Sequence, residues 1–296
     1  MKLFDPHVHM VSRTTCDYEA MAQAGIAAVV EPSFWLGQPR THVGTFDDYF
    51  ATLIGWERFR ARQLGIRHFC AIALNPKEAN NPRIAPGVVE LLPRYLIKDG
   101  VVAVGEIGYD EMTPDEDRYF SLQLELAAKF DLPVLVHTPH RDKKRGTERS
   151  LALIRETRFP EERVLIDHNN EETTPLVTAT SCWAGHTIYP HTKLDEDRMV
   201  ALVKKHGVER MIINSSADWG VSDPLKVPKT VAKMRDAGIS DDDIETVAWK
   251  NPAAFFAQSG RLDLSELDST QAIDQRQLHE GNSLLRGQAP VVRNHS

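Results

Sequence analysis

Two histidines near the start of the chain, His7 and His9, have the residue type and spacing of a metal site. They follow the short apolar run Leu3-Phe4 and are separated by one residue. If this segment is a strand, both imidazoles lie on one side of it and can converge on one point. Neutral imidazoles are ligands for divalent metal ions. The H-x-H pattern also occurs by chance, so its meaning depends on what completes the site.

Short β-branched or apolar runs alternate with stretches of helical periodicity along the chain. They predict eight strands, at residues 3–7, 26–30, 66–73, 101–106, 133–137, 164–168, 182–187 and 211–215. Helices are predicted from residue 46 toward 63, from 114 to 130 and from 195 to 205. Strands that alternate with helices predict a parallel sheet, and eight units close a (β/α)8 TIM barrel. The alternative is a doubly wound open sheet, but no glycine-rich phosphate fingerprint follows the first predicted strand.

The composition narrows the class of protein. The chain has 296 residues, 42% hydrophobic and 26% charged, and no apolar run of membrane-spanning length. Its formal net charge of −7 argues against a general nucleic-acid binder. Three cysteines far apart in sequence favour reduced thiols. With only Met1-Lys2 ahead of the first predicted strand, we expect a cytoplasmic protein without membrane contact.

A composition shift divides the chain. Residues 1–260 carry all eight predicted strands and form the predicted barrel domain. Residues 261–296 are polar with few aromatic residues and are predicted to be a C-terminal extension, either flexible or draped over the barrel.

Polar residues end four later predicted strands, and the C-terminal strand ends of a barrel meet at one face. Each of them alone could cap a helix or lie in a solvated loop. Gly105 and Gly108, which flank the glutamate, would let the backbone approach a ligand. Together with the first two histidines, the strand-end residues predict one metal centre with the ligands His7, His9, Glu106, His137, His168 and Asp218.

Four histidines and two carboxylates exceed the needs of one tetrahedral ion with an open position. They suit two divalent ions about 3.5–4 Å apart that share a carboxylate and a bridging hydroxide. Asp218 could move a proton between that hydroxide and the leaving group, and the residue types leave zinc, manganese, magnesium and iron open. The simplest assignment places His7, His9 and Asp218 on one ion, His137 and His168 on the other, and Glu106 between them.

The order of these motifs resembles the TatD-related metal-dependent hydrolases of the amidohydrolase superfamily. The resemblance rests on H-x-H, Gly105-Glu106-Ile107-Gly108, two later histidines and a late aspartate, and it runs from Phe4 to about Phe256. It implies a (β/α)8 barrel, two divalent ions, Glu106 as the bridging ligand, and hydrolysis of phosphoester or related bonds. A glutamate at strand four, where other branches use a modified lysine, favours this branch.

The residues around the predicted centre depart from the pattern of TatD-type nucleases. Pro139 stands where those nucleases typically carry an arginine suited to a phosphate. Asn169-Asn170 replaces their aromatic, serine and glycine turn, and Trp219 replaces a common proline after the aspartate. The pattern resembles instead an outlying, biosynthesis-associated subgroup, of the kind encoded in ebo-type clusters. We therefore expect a small-molecule substrate.

Strand-to-helix loops shape the pocket of a barrel enzyme. Trp35 could stack on a substrate ring or only cover the barrel. Arg40 or Arg141 could bind an anionic group through a bidentate fork or form a salt bridge at the surface. The full set of predicted substrate residues is Trp35, Arg40, His140, Arg141, His186 and Trp219.

Two aspartates lie beside the predicted ligands in sequence. Asp5 shares strand parity with His7 and His9 and is predicted to orient them. Asp167 has the opposite parity from His168 and is predicted to face the helices or solvent.

The sequence thus favours a two-metal hydrolase of a small phosphoester or a related ester, amide or lactone. The alternatives are a TatD-type deoxyribonuclease and a barrel that binds a metal or metabolite without turnover.

Overall fold

The computed structural model describes residues 1–265 and Leu267, and its strands form one parallel sheet in chain order. All eight predicted strands are present, with ends that differ by a few residues. Their bounds are Leu3–Asp5 (β1), Ile26–Pro32 (β2), Arg67–Ala71 (β3), Val101–Gly108 (β4), Val134–His137 (β5), Val164–Ile166 (β6), Trp183–Thr187 (β7) and Met211–Asn214 (β8).

The two edges of the sheet meet just beyond the ends of β1 and β8. Ser216 N donates a hydrogen bond to His7 O at 2.8 Å, and His9 N donates one to Ala217 O at 2.8 Å. The sheet is therefore a nearly closed barrel, and the predicted (β/α)8 class is confirmed. This closure brings the first histidines next to the residues that follow β8.

Helices connect the strands. The α-helices of the described residues are Thr15–Gln23 (α1), Gly44–Ala51 (α2), Arg58–Arg62 (α3), Pro76–Ala79 (α4), Ala85–Leu96 (α5), Pro114–Lys129 (α6), Lys143–Glu156 (α7), Thr174–Thr178 (α8), Glu196–His206 (α9), Lys226–Asp236 (α10), Asp241–Glu245 (α11) and Asn251–Ala257 (α12). Thr52–Glu57 and Thr246–Lys250 are π-helical, and Met10–Ser12 and Glu161–Arg163 are 3₁₀ turns. None of the helices in the described part of the chain is long and apolar enough to cross a membrane.

Local sequence signals explain where the predicted helices begin and end. Thr113 caps α6 by accepting a hydrogen bond from Glu116 N at 3.1 Å. Asp195 caps α9 in the same way, from Arg198 N at 2.8 Å, and Gly207 ends that helix with φ +78°.

The interior of the barrel is apolar. Phe4 and Ala28 from the first strands are fully buried in one cluster with Leu135 and Ile212 from later strands. Phe255 and Phe256 of α12 join this cluster, and α12 contacts β1, β4 and β8. The barrel is thus a packed core that holds the strand ends in fixed positions.

The start of the predicted C-terminal extension contacts the barrel. Arg261 donates a hydrogen bond to Leu96 O at 2.5 Å, and Leu262 and Leu264 pack against the interior cluster. Glu266 and residues 268–296, most of the predicted extension, lie outside the described residues.

Two glycines of β4 serve strand pairing, which corrects the prediction that they make room for a ligand. A Cβ on Gly105 would lie 2.8 Å from Leu135 Cβ, and one on Gly108 would lie 2.3 Å from His137 O. Gly108 also has φ +122°, which a side chain disfavours. The glycines let β4 approach β5 closely on both sides of Glu106.

Candidate metal centre

The two histidines of the H-x-H pattern lie just beyond β1, because the strand ends at Asp5. Their predicted place on the strand is therefore wrong, but their rings still converge, with 3.1 Å between the two Nε2 atoms. The ring of Phe34 stacks on His9 at 3.6 Å between centroids and 15° between planes. This contact fixes the plane of His9.

Glu106 lies at the centre of the site. Its Oε1 is 3.3 Å from His7 Nε2, 3.3 Å from His137 Nδ1 and 3.4 Å from His168 Nε2. His168 Nε2 is 3.1 Å from His137 Nδ1. Five of the six predicted ligands, counting His9, are therefore brought together at the C-terminal ends of the strands.

These distances fit metal ligands. Ligand atoms held 2.0–2.1 Å from one tetrahedral ion lie about 3.3 Å from each other. His7, Glu106 and His168 each offer one ligand atom in a group that spans no more than 4.8 Å, and all three residues are buried. The two Nε2 atoms of His7 and His9, 3.1 Å apart, can share a proton in a hydrogen bond or both present lone pairs to one cation. The residues present therefore suit a divalent ion.

The protonation states of Glu106, His9 and His168 also favour metal binding. Burial alone would raise the pKa of Glu106, but the adjacent His7, His137 and His168 hold that pKa well below its usual value. Burial lowers the pKa of His9 and His168 well below 6.5. The carboxylate is thus ionised and these two imidazoles are neutral, which are the forms that bind metals.

Asp167 faces the site, and its predicted position toward the helices or solvent is wrong. It is fully buried, and its Oδ2 lies 2.5 Å from His7 Nδ1. Its Oδ1 accepts hydrogen bonds from His168 N at 2.7 Å and Asn214 Nδ2 at 2.9 Å. A carboxylate on the far nitrogen of a metal-binding imidazole fixes its tautomer and raises its basicity.

Asp5 is also buried, and it anchors backbone instead of orienting the imidazole rings as predicted. Its carboxylate accepts hydrogen bonds from Ser215 Oγ at 2.5 Å, Ser215 N at 3.1 Å and His7 N at 3.4 Å. Burial outweighs these bonds and raises the pKa of Asp5 to about 6. The carboxylate ties the segment after β1 to the end of β8.

Two non-glycine residues of the site have left-handed backbone conformations. His168 has φ +62° and Ser216 has φ +44°. His168 is further held by Thr187 Oγ1 at 2.7 Å from its Nδ1, and Thr187 donates to Asn214 Oδ1 at 2.8 Å. Such conformations cost free energy and concentrate at functional sites.

Asp218 faces the same cavity from the segment after β8. Its Oδ1 accepts hydrogen bonds from Tyr189 Oη at 2.9 Å and Gly220 N at 2.8 Å. A Cβ at Gly220 would lie 2.4 Å from Tyr189 Oη, so a larger residue there would press on the hydroxyl that bonds to Asp218. The role of Asp218 as a ligand or proton carrier stays a prediction.

A cavity of about 220 Å³ opens over the site. Three predicted substrate residues, Trp35, His140 and Trp219, line it. The two indole rings stand edge to face with 6.1 Å between centroids. The remaining lining residues are His9, Phe34, Asn75, Lys77, Glu106, Asp110, His137, His168, Lys193, Ser216 and Asp218.

Arg40 is not at this cavity, which corrects its predicted role. It is buried in an ion pair with Glu78, and its guanidinium lies 4.5 Å from the ring centroid of Phe46 and 4.4 Å from that of Tyr49. The positive charge of Arg40 is therefore paired with Glu78 inside the fold.

His186 and Arg141 are likewise outside the cavity lining formed by the described residues. His186 is fully buried on β7, and its Nε2 lies 3.0 Å from Thr174 Oγ1 of α8. Side chains alternate along a strand, and because Thr187 faces the site, His186 faces the helices. Arg141 is exposed on the loop before α7.

Lys77 and Lys193 line the cavity and were missed by sequence reasoning. Neither lies at a strand end, so the strand-end pattern could not indicate them. Asp167, Thr187 and Asn214 were detectable, because each ends or directly follows a strand.

Comparison with known proteins identifies the family. A family model described as TatD related DNase matches residues 4–257. A protein of Methanocaldococcus jannaschii, described as an uncharacterized metal-dependent hydrolase, is 27% identical over 257 residues, which cover 86% of this chain and 99% of that protein.

Solved structures agree on the fold. The TatD-like protein of Archaeoglobus fulgidus is 25% identical with a TM-score of 0.71, over 86% of this chain and 99% of that one. The phosphotriesterase homology protein of Escherichia coli, described as complexed with phosphate in its active site, is 14% identical with a TM-score of 0.63, over 86% and 98%. The second likeness concerns the fold alone. The chain belongs to the TatD related DNase family and is a TatD-like metal-dependent hydrolase, as its motifs predict.

Proposed function

We propose that the protein is a two-metal hydrolase of a small phosphoester or a related ester, amide or lactone. The observation that carries the proposal is Glu106 Oε1, which faces three imidazole nitrogens at 3.3–3.4 Å. One carboxylate with imidazoles on several sides suits a bridge between two ions. Divalent ions held there would supply an activated water and stabilise charge on the attacked group.

The side chains of this protein would hold the two ions and move a proton. His7, His9 and Asp218 would hold one ion, and His137 and His168 the other. Asp218 Oδ1 already accepts two hydrogen bonds, which leaves Oδ2 to hold or move a proton at the water and the leaving group.

The size and chemistry of the cavity support a small substrate. About 220 Å³ is below the usual range of pockets for drug-sized ligands. Trp35 and Trp219 line the cavity with their rings edge to face, and Asp110 adds a negative charge to the lining. The formal net charge of −7 also opposes a long polyanion. We propose that the protein belongs to the biosynthesis-associated, ebo-type subgroup of the family, because Pro139, Asn169-Asn170 and Trp219 depart from the nuclease pattern.

The test is hydrolysis of a panel of phosphomonoesters, phosphodiesters, lactones and amides by metal-reconstituted protein. Asp218→Asn serves as the blank, since it keeps the shape of the site and removes the proton-carrying carboxylate. We expect the wild type to cleave at least one class of small molecule. Asp218→Asn should cleave the same substrate about 10²-fold or more slowly than the wild type does. Cleavage at equal rates by both proteins would contradict the proposal.

Cleavage of DNA is the second candidate, favoured by the family match over residues 4–257. Single- and double-stranded DNA with Mg²⁺ or Mn²⁺ belong in the same panel. Faster turnover of DNA than of every small substrate would assign the nuclease. Metal binding without any cleavage would leave a non-catalytic metal-binding barrel.

A further inference from the structure

Lys193 brings a positive charge to the metal cavity. It lines the cavity together with Ser216, and its Nζ donates a hydrogen bond to Ser216 Oγ at 3.3 Å. Within residues 1–265 and 267, no carboxylate oxygen lies within 4.0 Å of this Nζ. A partly buried ammonium group without a paired anion costs free energy, and an anionic ligand would lower that cost.

The carboxylates that act on Lys193 from a distance are already used by other groups. They are Asp167, Glu106 and Asp218. Asp167 bonds to His7, Glu106 faces the imidazoles, and Asp218 accepts from Tyr189.

The loop that carries Lys193 is built to hold it there. Leu194 N donates to Thr187 O at 3.2 Å, and Tyr189 N donates to Leu194 O at 3.0 Å. Leu194 is buried, and Lys193 Nζ lies 5.2 Å from the ring centroid of Tyr189. The chain thus turns back on itself after β7 and returns the lysine to the cavity.

Lys77, the other lysine of the lining, has partners for its charge. Its Nζ lies 3.9 Å from Asp110 Oδ2 and 4.4 Å from the ring centroid of Trp35. The contrast singles out Lys193 as the cation available to a ligand.

We propose that Lys193 Nζ and Ser216 Oγ bind an oxyanion of the substrate, a phosphate or a carboxylate, beside the reacting bond. The left-handed backbone of Ser216, at φ +44°, supports a built subsite, because it presents a hydroxyl to the cavity at a conformational cost. The inference rests on the proposed hydrolase function and specifies the substrate as anionic.

The test measures anion binding by calorimetry on metal-loaded full-length protein at one fixed pH. Inorganic phosphate and acetate are the two probes, which distinguish the two sources of the oxyanion. The proteins are the wild type, Lys193→Met, Lys193→Arg and Lys205→Met, in which Lys205 is an exposed lysine of α9.

We expect Lys193→Met to weaken binding of one probe about tenfold or more, because a charge-assisted hydrogen bond is lost. Lys193→Arg retains affinity within about threefold, and Lys205→Met matches the wild type. Equal affinity of the wild type and Lys193→Met for both probes, or no binding of either probe by the wild type, overturns the inference. Metal content and the substrate panel report separately on the proposed function, so its failure is recognised independently.

Discussion

At the scale of single residues, the site depends on one carboxylate oxygen and on the groups that fix the rings around it. Glu106 Oε1 faces the imidazoles of His7, His137 and His168. Asp167 supports the ring of His7, Thr187 supports that of His168, and Phe34 stacks on that of His9. Such outer contacts set ring orientation and ligand basicity. The contact with His7 supports a positioning role for Asp167, which the assumption of regular strand alternation had placed on the opposite side.

Replacing Asp167 with asparagine removes the negative acceptor of the His7 Nδ1–H group. We expect divalent metal affinity to fall about 10–100-fold, as for other partners of metal-bound histidines. Competition with a chromogenic chelator measures this change. Asp236→Asn, at an exposed site on α10, is the matched control. Wild-type metal affinity in Asp167→Asn would show that the contact does not tune the ligand.

At the scale of elements, eight strands with short apolar runs could be located from sequence, and their C-terminal ends indicated the ligands. The expectation that side chains alternate between the two faces of a strand failed just after β6, where the backbone is no longer a strand. β6 ends at Ile166, and His168 has φ +62°, so Asp167 and His168 do not alternate sides and both face the site. Alternation would have placed His186 correctly on the helix side, since β7 is regular there and Thr187 faces the site. Lys193 could not be found, because its position depends on how a loop folds back.

The pairing of β4 with β5 gives a prediction at the same scale. Gly108→Ala places a Cβ 2.3 Å from His137 O at φ +122°, and we expect a loss of about 1–3 kcal/mol in the free energy of unfolding. Urea denaturation measures it. Gly55→Ala is the control, because a Cβ there meets no atom within 4 Å. Equal losses in both variants would argue against close strand approach as the cause.

At the scale of the whole molecule, the closed sheet gathers residues from position 7 to position 218 around one small cavity. The hydrogen bond from Ser216 N to His7 O joins the segment after β8 to the segment after β1. These segments carry the last and the first of the site residues. The barrel also buries polar pairs away from the site. Glu31 and His68 are buried between β2 and β3, with 2.7 Å between Oε2 and Nε2.

This pair makes stability depend on pH. Burial raises the pKa of Glu31 from 4.5 to about 8, so the folded state binds its proton more tightly and stability falls as pH rises toward 8. Burial lowers the pKa of His68 to about 3, which affects stability only below about pH 6.5. Between pH 6.5 and 8, the wild type should lose about 2 kcal/mol relative to Glu31→Gln.

Urea denaturation at several pH values measures that difference. Glu90→Gln, at an exposed site on α5, should retain the slope of the wild type. If the free energies of the wild type and Glu31→Gln run parallel from pH 6.5 to 8, Glu31 is not protonated in the folded protein.

We propose that Glu106 bridges two divalent ions held by the four histidines and Asp218. Metal content per chain after reconstitution and gel filtration tests it most directly, with wild type and Glu106→Ala measured side by side by elemental analysis. We expect about two ions per wild-type chain and the loss of at least one ion in the variant. One ion or none in the wild type, or equal content in both proteins, would contradict it.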